Sequence, residues 1–277
     1  MAALRHLPMT ASTAHVFARH PHLPMVELRT AHHSSACYWT HTHEEYSMGI
    51  IDAGHAQYSH GPHNSQIAAG TTVLIAPGLA HACNPGPGQA WSYRMMYLQT
   101  PWVLASLGLD GPGTTPAPPF TQPLLQSPTV FRRLDRFCKG IALVGNPLGL
   151  EEELLDIIGR YIQRTGPADP GAPSVTPALQ RAKDLLMDRL EEVVTLDELA
   201  QVSQLSAYAL LRKFKAAFGQ TPHAFQLDQR INLSKRLLKQ GMGLAEIAVQ
   251  LGFADQAHFQ RHFKQRHAIS PLRYLRQ

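Results

Sequence analysis

The sequence predicts an α+β multidomain chain: a β-barrel with a helical hairpin, then an all-α domain containing two helix-turn-helix motifs. Three observations carry that expectation. Short β-like segments separated by Gly and Pro fill the first hundred residues, helical periodicity takes over after residue 127, and one pattern in the last hundred residues occurs twice. With 277 residues, 44% hydrophobic and 16% charged, the chain can bury two cores and is too apolar for wholesale disorder.

Residues 1–120 are read as the barrel. Tyr46 to Ile51, Ile67 with Ala68, Thr71 to Ala76 and Trp91 to Leu98 are short strand-like runs. They are bounded by Gly54, Gly61, Gly70, Pro77-Gly78 and the Pro/Gly stretch from Pro85 to Gly88, and several short strands at such spacing suggest a barrel or sandwich. His32, His33, His55, His60 and His63 are expected in surface loops. The run from Gly111 to Pro119 is too rich in Pro for a helix or an inner strand and is read as a loop.

Residues 121–165 are read as a helical hairpin. Ser127-Pro128 is an N-cap followed by Pro at the first helical position. Helices are expected near 128–144 and 148–164, separated by Gly145-Asn146-Pro147. Their apolar positions exceed what one packing face needs, which leaves open both a contact between subunits and simple cover for the barrel. Residues 166–175, with Gly166, Pro167, Pro170, Gly171 and Pro173, are read as an interdomain linker.

Residues 176–277 are read as helices near 177–190, 196–203, 207–218, 222–240, 244–251, 256–267 and 271–276. Thr176-Pro177, Thr221-Pro222 and Ser270-Pro271 each pair a capping hydroxyl with Pro, and Thr195 with Glu198 forms a capping box. The pattern Leu196, Glu198, Leu199, Ala200 recurs 48 residues later as Leu244, Glu246, Ile247, Ala248. Phe214-Lys215 recurs as Phe263-Lys264. Each copy is a short helix, a tight turn and a longer helix, which is the helix-turn-helix arrangement. Gly252 supplies the turn in the second copy. Gln204 stands there in the first, at a cost of about 1 kcal/mol if it must be left-handed.

Leu210, Phe214 and Phe218 fall on one face of the first long helix, as do Phe259 and Phe263 on the second. The outward faces are then Tyr208, Leu211, Arg212 and Lys215, and Gln256, Gln260, Arg261 and Lys264. Gln and Arg at such positions can make bidentate contacts to base edges. Charge agrees: residues 1–173 carry 10 Lys+Arg against 11 Asp+Glu, whereas residues 174–277 carry 15 against 9. The basic excess favours a polyanionic partner.

The run from Gly243 to Lys264, with Ser270-Pro271 after it, resembles the DNA-binding domain of the AraC/XylS family of bacterial transcription regulators. The resemblance covers about residues 177–277. It implies two recognition helices joined by the long helix near 222–240, with DNA contacts on Tyr208, Leu211 and Arg212 and on Gln256, His258, Gln260 and Arg261. Residues 37–100 resemble the cupin-type β-barrel of the family's effector domains, through His41-Thr42-His43, Gly54, Gly70, Pro77-Gly78 and His81. Where metal-binding cupins carry a Glu separated from the His pair by three or four residues, this chain has Ser47 and Met48.

Twelve of the 16 histidines precede residue 82, so histidine chemistry belongs to the first domain. His41 and His43 point the same way along an extended segment. With His81, and Glu45 or Cys83 as a fourth partner, they could hold Zn²⁺, Ni²⁺ or Co²⁺. An organic effector pocket lined by His41, His43, Tyr46, His81, Trp91 and Tyr93, with Tyr97, is a second reading. Hydrogen bonding at a barrel rim is the third.

The function expected is a sequence-specific DNA-binding transcription regulator whose barrel senses a small molecule or metal ion. Double-stranded DNA, the effector, RNA polymerase and a second copy of the chain are the expected partners. The alternative is a metal-dependent cupin enzyme with an appended helical domain. No nucleophile motif, P-loop or dinucleotide fingerprint appears, so an enzyme is not expected, nor any cofactor beyond such an ion. No apolar run reaches the roughly 18 residues of a membrane span, and Cys37, Cys83 and Cys138 make no CxxC pair. A cytoplasmic location is the expectation.

Overall fold

The computed structural model describes residues 15–61, 63–109, 117–143, 145–162 and 175–276. Its first half is β-rich: β1 (His15–His20), β2 (Leu23–Ser34), β3 (Tyr46–Ala53), β4 (His55–His60), β5 (His63–Ala68), β6 (Thr72–Ile75), β7 (His81–Asn84), β8 (Trp91–Leu98) and β9 (Leu124–Leu125). The described strands form two antiparallel sheets, ordered β1-β2-β8-β3-β6-β9 and β5-β4-β7, and no closed ring of strands joins them. His32, His33, His55, His60 and His63, expected in loops, therefore lie on strands β2, β4 and β5.

Strand alternation divides the side chains of the large sheet between two cores. Ile51, Val73, Tyr93 and Met95 pack toward Ala56, Tyr58 and Ile67 of the small sheet. Tyr46, Met48, Ile50, Met96 and Leu98 face the other way, onto a layer of helices. These are α1 (Thr100–Ser106), which the sequence did not suggest, α2 (Pro128–Ala142) and α3 (Pro147–Tyr161). The hairpin thus covers the sheet with Val130, Leu134, Phe137, Leu154 and Ile158. Most of the Gly111–Pro119 loop, and the 166–175 linker save Val175, lie outside the described residues.

The second half is helical: α4 (Pro177–Asp188), α5 (Leu196–Ser203), α6 (Ala207–Phe218), α7 (Pro222–Lys239), α8 (Leu244–Gln250), α9 (Gln256–His267) and α10 (Pro271–Leu275). Hydroxyl or carboxylate caps at Thr176, Thr195, Ser206, Thr221, Asp255 and Ser270 explain why these helices start where they do. Gln204 is left-handed at φ 55°, as its place in the first turn requires, and Gly252 is at φ 65° in the second.

The two helix-turn-helix units are joined through α7. Arg230 donates to the carbonyls of Leu190, Glu192 and Gly252 at 2.6, 2.8 and 2.6 Å, and Gln226 donates to those of Arg189 and Glu192. The chain between α4 and α5 is therefore tied to the turn of the second unit. Among the described residues, no helix is long and apolar enough to cross a membrane.

Candidate metal centre and nucleic-acid interface

His41 and His43 lie in the extended segment before β3, and His81 opens β7. His41 and His81 form an isolated antiparallel bridge, each backbone N–H donating to the other's carbonyl at 3.0 Å. That pairing brings the three rings together, with centroids 4.6 to 4.9 Å apart. One nitrogen from each ring lies within 4.8 Å of the others.

The hydrogen bonds decide what these nitrogens can do. His41 Nδ1 donates to the Trp39 carbonyl at 2.7 Å and His81 Nδ1 to the Leu79 carbonyl at 2.8 Å. A carbonyl only accepts, so in both rings the proton sits on Nδ1 and the Nε2 lone pair is free to bind a cation. His43 Nδ1 meets Ser47 Oγ at 3.2 Å, while its Nε2 is buried without a partner. Ser47, at one of the places where metal-binding cupins carry a Glu, thus contacts His43 instead. Burial, followed by repulsion from neighbouring histidines, holds His41 and His43 well below the usual imidazole pKa. Burial brings His81 down to about 4. All three are neutral at neutral pH, which is the form that binds metals.

The other expected participants are distributed differently. Glu45 does not join the cluster: its carboxylate accepts from Lys235 Nζ at 3.1 and 3.3 Å. Against the desolvation that would raise it, the Lys235 charge holds the Glu45 pKa below the usual carboxylate value. Cys83 packs with the inter-sheet core. Tyr46 is on the opposite face of the sheet, where its hydroxyl donates to the Pro118 carbonyl at 2.7 Å. Trp91 and Tyr93 pack on each other, tilted by 34° with centroids 4.3 Å apart, within the inter-sheet core. The aromatic wall beside the histidines is instead Tyr97, 5.2 Å from the His43 ring.

A cavity of about 30 Å³ opens beside the cluster, with His41, His43 and Tyr97 on one side and Lys235, Arg266 and His267 on the other. It has room for an ion or a water. The surrounding interface consists of buried polar contacts that sequence reasoning missed. Asp228, 1% exposed, accepts from the Thr42 N–H at 2.9 Å, the Thr42 hydroxyl at 2.7 Å and Arg266 Nε at 3.2 Å. Burial pushes Asp228 up to about 6 against the pull of those donors, so it stays ionised at neutral pH. Gln220 Nε2 donates to the Thr40 carbonyl, and the Trp39 N–H to the Gln265 carbonyl. The ends of α6 and α9 therefore both rest on the histidine-bearing segment.

Of the expected DNA-contacting residues, Tyr208, Leu211, Arg212 and Lys215 are exposed on α6, and Gln256, Arg261 and Lys264 on α9. Gln260 is half-buried. His258 is half-buried as well, its ring against Phe253 and His262.

Comparison with known proteins agrees with this division. Residues 23–158 match the AraC-like ligand binding domain and residues 199–277 match a helix-turn-helix domain. The chain belongs to the AraC family of transcription regulators. It is 27% identical over 220 residues to the HTH-type transcriptional regulator YbfI of Bacillus subtilis, covering 79% of this chain and 80% of YbfI. To the regulator MtrA of Neisseria gonorrhoeae it is 30% identical over 93 residues, 33% of this chain and 31% of MtrA. In fold it is similar to ToxT from Vibrio cholerae. The structure of ToxT with an unsaturated fatty acid bound gives a TM-score of 0.55 at 16% identity, covering 90% of this chain and 94% of ToxT.

Proposed function

We propose that this AraC-family regulator is metal-responsive: Zn²⁺, Ni²⁺ or Co²⁺ bound by His41, His43 and His81 controls promoter binding by α6 and α9. The observation that carries this reading is the pair of Nδ1–H bonds to carbonyls, which turns two neutral rings into oriented ligands beside the partnerless Nε2 of His43. A fatty acid such as the unsaturated one bound to ToxT is a poorer fit, because the cavity at the histidines is only about 30 Å³. Regulators among the relatives of both halves favour sensing over catalysis.

The test is metal content. The full chain purified without chelators should take up one equivalent of Zn²⁺ or Ni²⁺. The double variant His41→Ala/His81→Ala should lose that stoichiometric binding while its circular dichroism is unchanged. Equal uptake by parent and variant contradicts the assignment.

The proposal includes a second copy of the chain as partner. Most of the hairpin's apolar stripe is used on the sheet, yet Leu143 and Leu148 remain 80% and 64% exposed at its tip. Sedimentation at tens of micromolar should show a dimer, and a monomer there would confine α2 and α3 to covering the sheet.

A further inference from the structure

The cavity beside the histidine cluster has one wall from each half of the protein, and the wall from the DNA-binding half carries a fourth histidine. His267 is the last residue of α9. Its Nε2 is shielded from solvent and has no hydrogen-bond partner, as is true of His43 Nε2. Both residues line the same cavity. Two partnerless ring nitrogens around a space of ion size are explained together by a cation, which accepts a lone pair from each.

His267 is also held in place from several sides. Arg29 Nη2 donates to its carbonyl at 2.9 Å, and its ring packs on Phe263 with centroids 4.6 Å apart. Two residues earlier, the Gln265 carbonyl accepts from the Trp39 N–H at 3.1 Å, which fastens the end of α9 to the segment leading into the His41–His43 pair. The tight cluster within 4.8 Å comprises His41, His43 and His81, and His267 faces it across the cavity.

We propose that His267 is the fourth donor of the metal centre, so that a divalent cation held by His41, His43 and His81 is also held by the second recognition helix. The inference rests on the metal-responsive reading above and adds that the ion joins the two halves of the chain. Occupancy then restrains the C-terminal end of α9. Metal and DNA affinity must change each other by the same factor.

X-ray absorption of the zinc-loaded full chain should show four imidazoles around the ion, falling to three in His267→Gln. Competition with a chromophoric chelator should show zinc affinity at least tenfold weaker in that variant. Three imidazoles in the parent, or equal zinc affinity in parent and variant, overturns the role of His267 and leaves the three-histidine site standing. A parent chain that takes up no zinc overturns both proposals. The parent spectrum decides the matter even if His267→Gln fails to fold.

Discussion

Gly252 and Gln204 occupy equivalent turns, yet only one position demands glycine on steric grounds. A Cβ at Gly252 would lie 1.8 Å from the Glu191 carbonyl oxygen, and the Gly252 carbonyl accepts from Arg230 at 2.6 Å. Left-handed backbone and close approach therefore coincide there. Gly252→Ala should destabilise the helical half by roughly 2–4 kcal/mol. Gln204→Gly should stabilise it by about 0.5–1 kcal/mol, because it removes left-handed strain at φ 55° and adds only glycine's chain entropy. The midpoint of helical circular dichroism in a urea titration of the full chain measures both. An unchanged midpoint for Gly252→Ala would contradict the packing described for that turn. At this scale the sequence was informative because a turn position constrains a single residue, and its residue type states the constraint. The partner that makes Gly252 indispensable, the chain at Glu191, lies 61 residues away and left no local mark.

Among the elements, helices were more legible than strands, and the reason is visible at their ends. Caps and Pro residues mark the starts of α2 and α4 to α7, and α5, α6 and α9 run as the sequence suggested. By contrast β4 reads His55-Ala56-Gln57-Tyr58-Ser59-His60, with no β-branched residue, and it is a strand because β5 and β7 pair with it on either side. The same logic bears on α9. Buried Phe259 and Phe263 fix its rotation and leave Gln256, Arg261 and Lys264 exposed. Arg261→Ala should flatten base preference at one position of a site selected from random DNA, at a cost of about 1–3 kcal/mol. Lys264→Ala should instead weaken binding to all sequences and reduce its salt dependence. If Arg261→Ala selects the parent motif with full information at every position, Arg261 does not read bases.

Across the whole molecule, the basic excess of the last hundred residues is only partly available to DNA. Lys235 pairs with Glu45, Arg236 with Glu44, and Arg266 with Asp228. In the sequence these residues look like solvated positions of helices, because a partner on a distant segment has no periodicity of its own. The three histidines were legible for the opposite reason: two stand with one residue between them on one extended segment, and the third opens a strand just after the Pro77-Gly78 turn. Thr42 is the link between the two cases. It lies between His41 and His43, and its N–H and hydroxyl both donate to Asp228, while Gln229 and Asn232 donate to its oxygen at 3.2 and 3.1 Å. Thr42→Val preserves shape but strips the hydroxyl from all three partners, leaving Asp228 under-solvated at 1% exposure. Loss of such a buried bond costs about 1–3 kcal/mol, and the cost falls on docking of the two halves, since none of the three partners belongs to the β-rich half. Hydrogen exchange should therefore speed up at the Trp39 amide, which donates to the end of α9, while protection in the middle of β3 and β8 stays at the parent level. Faster exchange throughout the sheets would mean that Thr42 supports the sensor fold itself, and unchanged exchange at Trp39 would mean that the Asp228 contact does not hold the halves together.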